Sequence, residues 1–134
     1  MLDTNICIRI IKDRPERVCR KLSRVEVGEV AISSIVAAEL WYGVAYSEKK
    51  RQNEAALKDF LEYVDVIAWP GEAGPVYGRI RADLKKRGSP IGGMDLLIAA
   101  HAVHLGALLV TENTEEFKRV PDLKIVNWTD LRKP

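Results

Sequence analysis

A chain of 134 residues with 47% hydrophobic content is the size of one ordinary domain with its own core, so a single domain over residues 1–134 is expected. Twenty-one Lys and Arg against nineteen Asp and Glu leave a net charge of only +2, too little by itself to announce a polyanionic partner. Cys7 and Cys19 fit no metal or redox spacing, Asp3 and Asn5 stand where a signal peptide would be apolar, and no apolar run approaches the ~20 residues that span a bilayer. These features exclude a disulfide scaffold and a membrane span, and make a reducing cytoplasm the expected compartment.

In chain order, Met1-Leu2 reads as a very short strand that ends in Asp3-Thr4-Asn5 and runs into an apolar helix. Residues 14–24 read as a second helix, with Val18 and Leu22 on one side and Arg14, Arg17, Lys21 and Arg24 as a basic stripe on another. Such a stripe is either a solvated face or a surface that tracks a phosphate backbone. Residues 29–33 are the next strand, and Ser34 is a suitable cap for a helix over 35–47 that is apolar nearly all round and expected to be largely buried. Glu39 sits in that helix, where a carboxylate is costly unless it is paired, exposed or bound to a cation.

Residues 53–63 form an amphipathic helix and 64–69 a strand stopped by Pro70-Gly71. A basic helix over 74–87 precedes Gly88-Ser89-Pro90. Ile91-Gly92-Gly93-Met94-Asp95 then opens an apolar helix for which Gly106 is the stop. A carboxylate in a first helical turn is stabilised by unpaired N–H groups and the macrodipole, so Asp95 is a cap, a ligand or both. Residues 107–111 are a continuous apolar strand followed by the polar cluster 112–117, and 124–128 close the chain as a last strand. Strands alternating with helices predict an α/β domain with a mainly parallel sheet.

In such a sheet the functional crevice lies beyond the carboxyl ends of the strands. Asp3, Glu39, Asp95 and the acidic run Glu112 to Glu116 all map to that edge. Carboxylates gathered from distant parts of a chain repel one another, and an all-oxygen set without thiolate or paired imidazole calls for Mg²⁺ or Mn²⁺ rather than zinc. One or two such ions activate water and neutralise a leaving oxygen in phosphodiester hydrolysis without a nucleophilic side chain. Thr4, Asn5, Ser33 and Asn113 are polar companions suited to orienting ligands or bound water. His101 and His104 lack a zinc-protease pattern and read as core or surface residues, and no phosphate-binding glycine loop is present. Trp41, Trp69 and Trp128 read as core or interface residues rather than base-stacking platforms.

Four motifs carry a resemblance. Met1-Leu2-Asp3-Thr4-Asn5, the run from Ser33 to Gly43, Pro90-Ile91-Gly92-Gly93-Met94-Asp95, and the run from Val110 to Phe117 together resemble PIN-domain ribonucleases, and more narrowly the VapC toxins of VapBC toxin–antitoxin modules. The resemblance implies a three-layer α/β/α domain with a parallel central sheet of about five strands. It further implies a Mg²⁺-dependent endoribonuclease, often acting on tRNA or rRNA, that is usually a homodimer and is neutralised by a VapB antitoxin. By motif, Asp3 and Asp95 match the principal metal-binding carboxylates and Glu39 the third acidic residue. The family's fourth acidic position falls on Asn113, so Glu112 or Glu116 substitutes or a second metal binds weakly. Asn113 also keeps open a catalytically weak module that only binds RNA or antitoxin, and a metal phosphatase acting on small esters is a further alternative.

Overall fold

The structure is a computed structural model that describes residues 1–26 and 28–130. Helices and strands alternate as the patterning predicts. The helices are α1 (Thr4–Lys12), α2 (Glu16–Ser23), α3 (Ser34–Tyr46), α4 (Lys50–Leu61), α5 (Gly74–Lys86), α6 (Gly93–Leu105) and α7 (Thr114–Phe117). The strands are β1 (Ala31–Ser33), β2 (Asp65–Ile67), β3 (Leu108–Val110) and β4 (Lys124–Val126), and a 3-10 turn covers Gly71–Ala73.

β1 pairs in parallel with β2, Ile32 facing Val66, and β3 with β4, Leu109 facing Ile125. Residues 1–3 lie between these two pairs. The Leu2 N–H donates to the Ala31 carbonyl at 3.0 Å, the Val110 N–H donates to the Met1 carbonyl at 2.8 Å, and the Asp3 N–H donates to the Val110 carbonyl at 3.1 Å. The order across the sheet is therefore β2, β1, residues 1–3, β3, β4. The expectation of five strands is met by four among the described residues. The fifth is a single parallel bridge of Leu2 with Val110, because Asp3 already caps α1 and leaves too little extended chain for a ladder.

The core joins this sheet to its helices. Ile32 and Leu109 from the strands, Ile6 from α1, Val36 from α3, and Ile98 to Ala100 from α6 are all fully buried. α6 is the most enclosed helix, with Leu96 and the run from Ile98 to Ala102 buried, and it ends at Gly106 in the left-handed region (φ 66°) as its sequence predicts.

Two helices depart from expectation. Arg14 is not helical: it sits in the turn after α1 with φ 44°, and α2 begins only after Pro15. The stripe Arg14, Arg17, Lys21, Arg24 is thereby broken. Arg17 has Nε and Nη2 buried without a hydrogen-bond partner among the described residues, and Arg24 is the C-cap of α2. The cause is local backbone geometry: Arg14 takes a positive φ and Pro15 is the N-cap of α2, while Val18 is the buried residue of that helix. α3 is not buried all round either. Val36, Ala37 and Leu40 face inward, whereas Tyr42 and Tyr46 are 68% and 80% exposed and stack on each other at 5.9 Å. Apolar composition marked the helix but did not distinguish the covered face from the open one.

Candidate active site

The site begins at the N-terminus of α1. Asp3 is only 3% exposed; its Oδ1 accepts the Ile6 N–H at 2.9 Å and its Oδ2 accepts the Thr111 hydroxyl. Thr111 Oγ1 in turn accepts the Asn113 N–H at 2.9 Å, so the end of β3 and the start of α1 are one bonded unit. Burial raises the Asp3 carboxyl above its ordinary value. The Thr111 and Ile6 bonds oppose that, and the charges of Glu112 and Glu39 add to it.

Glu39 is half-buried in α3, and its Oε1 accepts the Thr4 hydroxyl at 2.5 Å. Thr4 thus supports a carboxylate, as expected of a polar companion. Ser33 does not. Its hydroxyl caps α3 by accepting the Ile35 N–H at 3.2 Å and bonds His101 Nδ1 at 2.8 Å. His101 is fully buried and burial lowers its pKa, with His104 adding to the effect, so it belongs to the core as its apolar neighbours suggest. Asn5 is exposed and lines an open groove of about 430 Å³ with Arg9, Asp13, Glu112 and Asn113.

Asp95 stands in the first turn of α6, whose N-cap is Gly92. Asp95 is hydrogen-bonded to Glu116, and its pKa is pushed to about 7 by burial first, then by that bond and the charges of Glu116, Glu39 and Asp3. Burial alone would also raise Glu116. The Gly92 N–H on Oε1 at 3.0 Å, the Asn113 amide on Oε2 at 2.6 Å, the Asp95 bond and the charge of Arg119 together bring it below its ordinary value. The two carboxyls thus shift in opposite directions, Asp95 upward and Glu116 downward. A Cβ at Gly92 would make only ordinary contacts, at 3.7 Å from Asp95 and 3.9 Å from Glu116, so the protein itself does not demand a glycine there.

Glu112 is drawn the other way. Both its oxygens pair with Arg9 of α1, Nη2 to Oε2 at 2.9 Å and Nε to Oε1. Of the two substitutes suggested for the fourth acidic position, Glu116 is the one joined to Asp95, and Asn113 serves it as a hydrogen-bond donor. The i to i+3 spacing of Asn113 and Glu116 was the signal for this. The Arg9 to Glu112 pair, 103 residues apart, had none.

Four carboxylates from α1, α3, α6 and α7 thus act on one another's charge. Among the described residues no three His, Cys, Asp or Glu side chains close into a ready cation cage. The donor set nonetheless suits a hard divalent cation: it is all oxygen, and each carboxyl whose pKa is raised is one that a cation would relieve. Arg14, with Cys19 and Leu22, lines a separate groove against Phe60 and Tyr63 of the α4 side, not the acidic cluster.

Residues 1–123 match the PIN domain family. The chain is 45% identical over 129 residues to ribonuclease VapC2 of Rickettsia felis, covering 96% of both chains. It is 40% identical over 129 residues to the tRNA(fMet)-specific endonuclease VapC of Shigella flexneri, covering 96% of this chain and 97% of that one. The structure superposes on DNA-bound VapBC from Salmonella typhimurium with a TM-score of 0.91 at 38% identity, covering 96% of each chain. The chain belongs to the PIN-domain family, among the VapC ribonucleases.

Proposed function

We propose that the chain, as a single domain over residues 1–134, is a Mg²⁺-dependent endoribonuclease toxin in which Asp3, Glu39, Asp95 and Glu116 hold the metal, with Mn²⁺ able to replace it. The observation that carries this reading is the set of oriented carboxylates at one sheet edge, Asp3 held by Ile6 and Thr111, Glu39 by Thr4 and Glu116 by Gly92 and Asn113, with burial and these neighbours raising the Asp95 carboxyl. Charge concentrated this way is unfavourable in the free protein and is what a divalent ion compensates. One or two bound ions would supply a hydroxide at neutral pH and stabilise the leaving oxygen.

The chain's own residues supply the rest. Ile6 and Thr111 fix the direction of Asp3, Thr4 that of Glu39, and Asn113 that of Glu116. Arg9 keeps Glu112 out of the metal set. The relative named as acting on tRNA(fMet) makes tRNA the first substrate to try, with rRNA the second. A VapB-type antitoxin, a homodimeric state and a cytoplasmic location complete the reading. VapBC structures among the relatives support the antitoxin, and no helix among the described residues is long and apolar enough to cross a membrane.

The test is cleavage of tRNA and rRNA by purified protein with Mg²⁺ or Mn²⁺ and with chelator. Cutting that stops with chelator and is lost in an Asp3→Ala, Asp95→Ala variant is expected; equal cutting by that variant overturns the proposal. The rival binding module loses the support that Asn113 gave it, because Glu116 occupies the place beside Asp95. RNA binding without cleavage under any metal would restore it.

A further inference from the structure

Trp69 follows β2 and touches both helices that carry the central carboxylates. Its backbone N–H donates to Ser34 Oγ, the first residue of α3, at 2.9 Å. Its indole Nε1–H donates to the carbonyl of Leu97 in α6, also at 2.9 Å. The ring is braced edge-on by Tyr77 of α5, with centroids 6.5 Å apart and planes at 84°, and the Tyr77 hydroxyl accepts from Arg81 at 2.8 Å. Pro70 follows immediately and restricts the backbone of Trp69 to extended conformations.

Leu97 is two residues beyond Asp95, so the indole bond fixes the first turns of α6 against the strand edge from which α3 and Glu39 depart. The other bonds on that part of α6 run from Glu116 to Gly92 and to Asp95. Those are made by carboxylates that the proposed metal site would claim for itself. The two Trp69 bonds involve no ionisable group. A neutral donor half-buried against a braced ring gives a fixed distance at low conformational cost, as a long charged side chain would not.

We infer that Trp69 is a positioning residue that holds Asp95 in register with Glu39 for a divalent cation. This rests on the metal-nuclease reading above. Trp69→Phe keeps the ring against Tyr77 and the backbone bond to Ser34, and deletes only the indole donor. Ser34→Ala deletes the second bond and leaves the ring untouched. Mn²⁺ binding to the full chain is measured by the loss of free-ion electron paramagnetic resonance signal, beside the thermal midpoint and the kcat and KM for RNA. The expected result for Trp69→Phe is a rise of roughly 3- to 10-fold in the Mn²⁺ concentration at half saturation. kcat should recover toward wild type at saturating Mn²⁺, with KM for RNA unchanged. Ser34→Ala should shift the Mn²⁺ midpoint in the same direction, and it carries the test alone if Trp69→Phe does not fold. A wild-type Mn²⁺ midpoint in a folded Trp69→Phe protein, whatever its thermal midpoint, overturns the inference and leaves the nuclease reading standing. A wild-type protein that takes up no Mn²⁺ overturns both.

Discussion

Asn113 stands where a fourth acid is expected, and its amide donates to Glu116 at 2.6 Å while its backbone N–H is held by Thr111. An Asp at this position would present an acceptor to a carboxylate already bonded to Asp95. The charge it adds is thus set against the orientation it removes. Asn113→Asp is expected to lower stability by about 1 kcal/mol above neutral pH, the net worth of the lost bond, and to raise the Mn²⁺ concentration needed for cleavage. Urea unfolding at about pH 8 with a parallel Mn²⁺ titration of activity checks this; a more active variant of unchanged stability would show that charge, not orientation, is limiting there. Arg9 and Glu112 make a second choice of the same kind, with one carboxylate removed from the cluster by a guanidinium that offers it two parallel donors.

At the scale of elements, α6 determines how the site is presented, because Asp95 opens it and Gly106 closes it. Gly106 is left-handed at φ 66°, and its N–H caps the helix by donating to the Val103 carbonyl at 3.1 Å. Gly106→Ala has open space for its Cβ, so the cost is conformational alone. A loss of about 1 kcal/mol is expected in denaturant unfolding, with the cleavage rate at saturating metal unaffected. This helix was legible in the sequence from its glycine turn to its glycine stop, and so was the alternation that makes the sheet parallel. Local chemistry explains why: glycines, caps and apolar runs act within a few residues of themselves. The exposed Tyr42 and Tyr46 face of α3 was not legible, since apolar residues look alike whether or not another element covers them. Nor was the loss of the basic stripe, which turned on one non-glycine residue, Arg14, taking a positive φ. In the site, Asp3, Glu39 and Asp95 were readable as motif residues. Thr111, which bonds Asp3, Arg9, which draws Glu112 away, and Trp69 are long-range partners that spacing does not reveal.

For the molecule as a whole, the carboxylate cluster links stability, pH and metal. The Asp95 carboxyl lies near 7 in the folded chain against an ordinary 3.8, so the folded state binds the extra proton between those values. That proton stabilises the metal-free fold at low pH, and its contribution is lost as pH rises toward 7. Metal uptake must displace the same proton, so divalent affinity should climb with pH up to about 7 and then level. Two measurements follow from the sign. Calorimetric Mn²⁺ titrations between about pH 6 and pH 8 should show proton release that fades above 7. Asp95→Asn should be at least as stable as wild type at about pH 8 without metal, and should lose the rise in thermal midpoint that Mn²⁺ gives the wild type. A pH-independent affinity would show that metal uptake displaces no proton from Asp95.

Residues 1–3 occupy the middle of the sheet, and Asp3 completes its bonding only with Thr111, 108 residues further along the chain. The central slot is therefore filled late in synthesis, when β3 has emerged to form its second wall. Contacts of such long sequence separation are slow to form and come after local helices. Until then the first carboxylate of the cluster lacks the Thr111 and Val110 bonds that fix its position. Chain topology thus makes the first carboxylate of the cluster depend for its position on a strand more than a hundred residues further along.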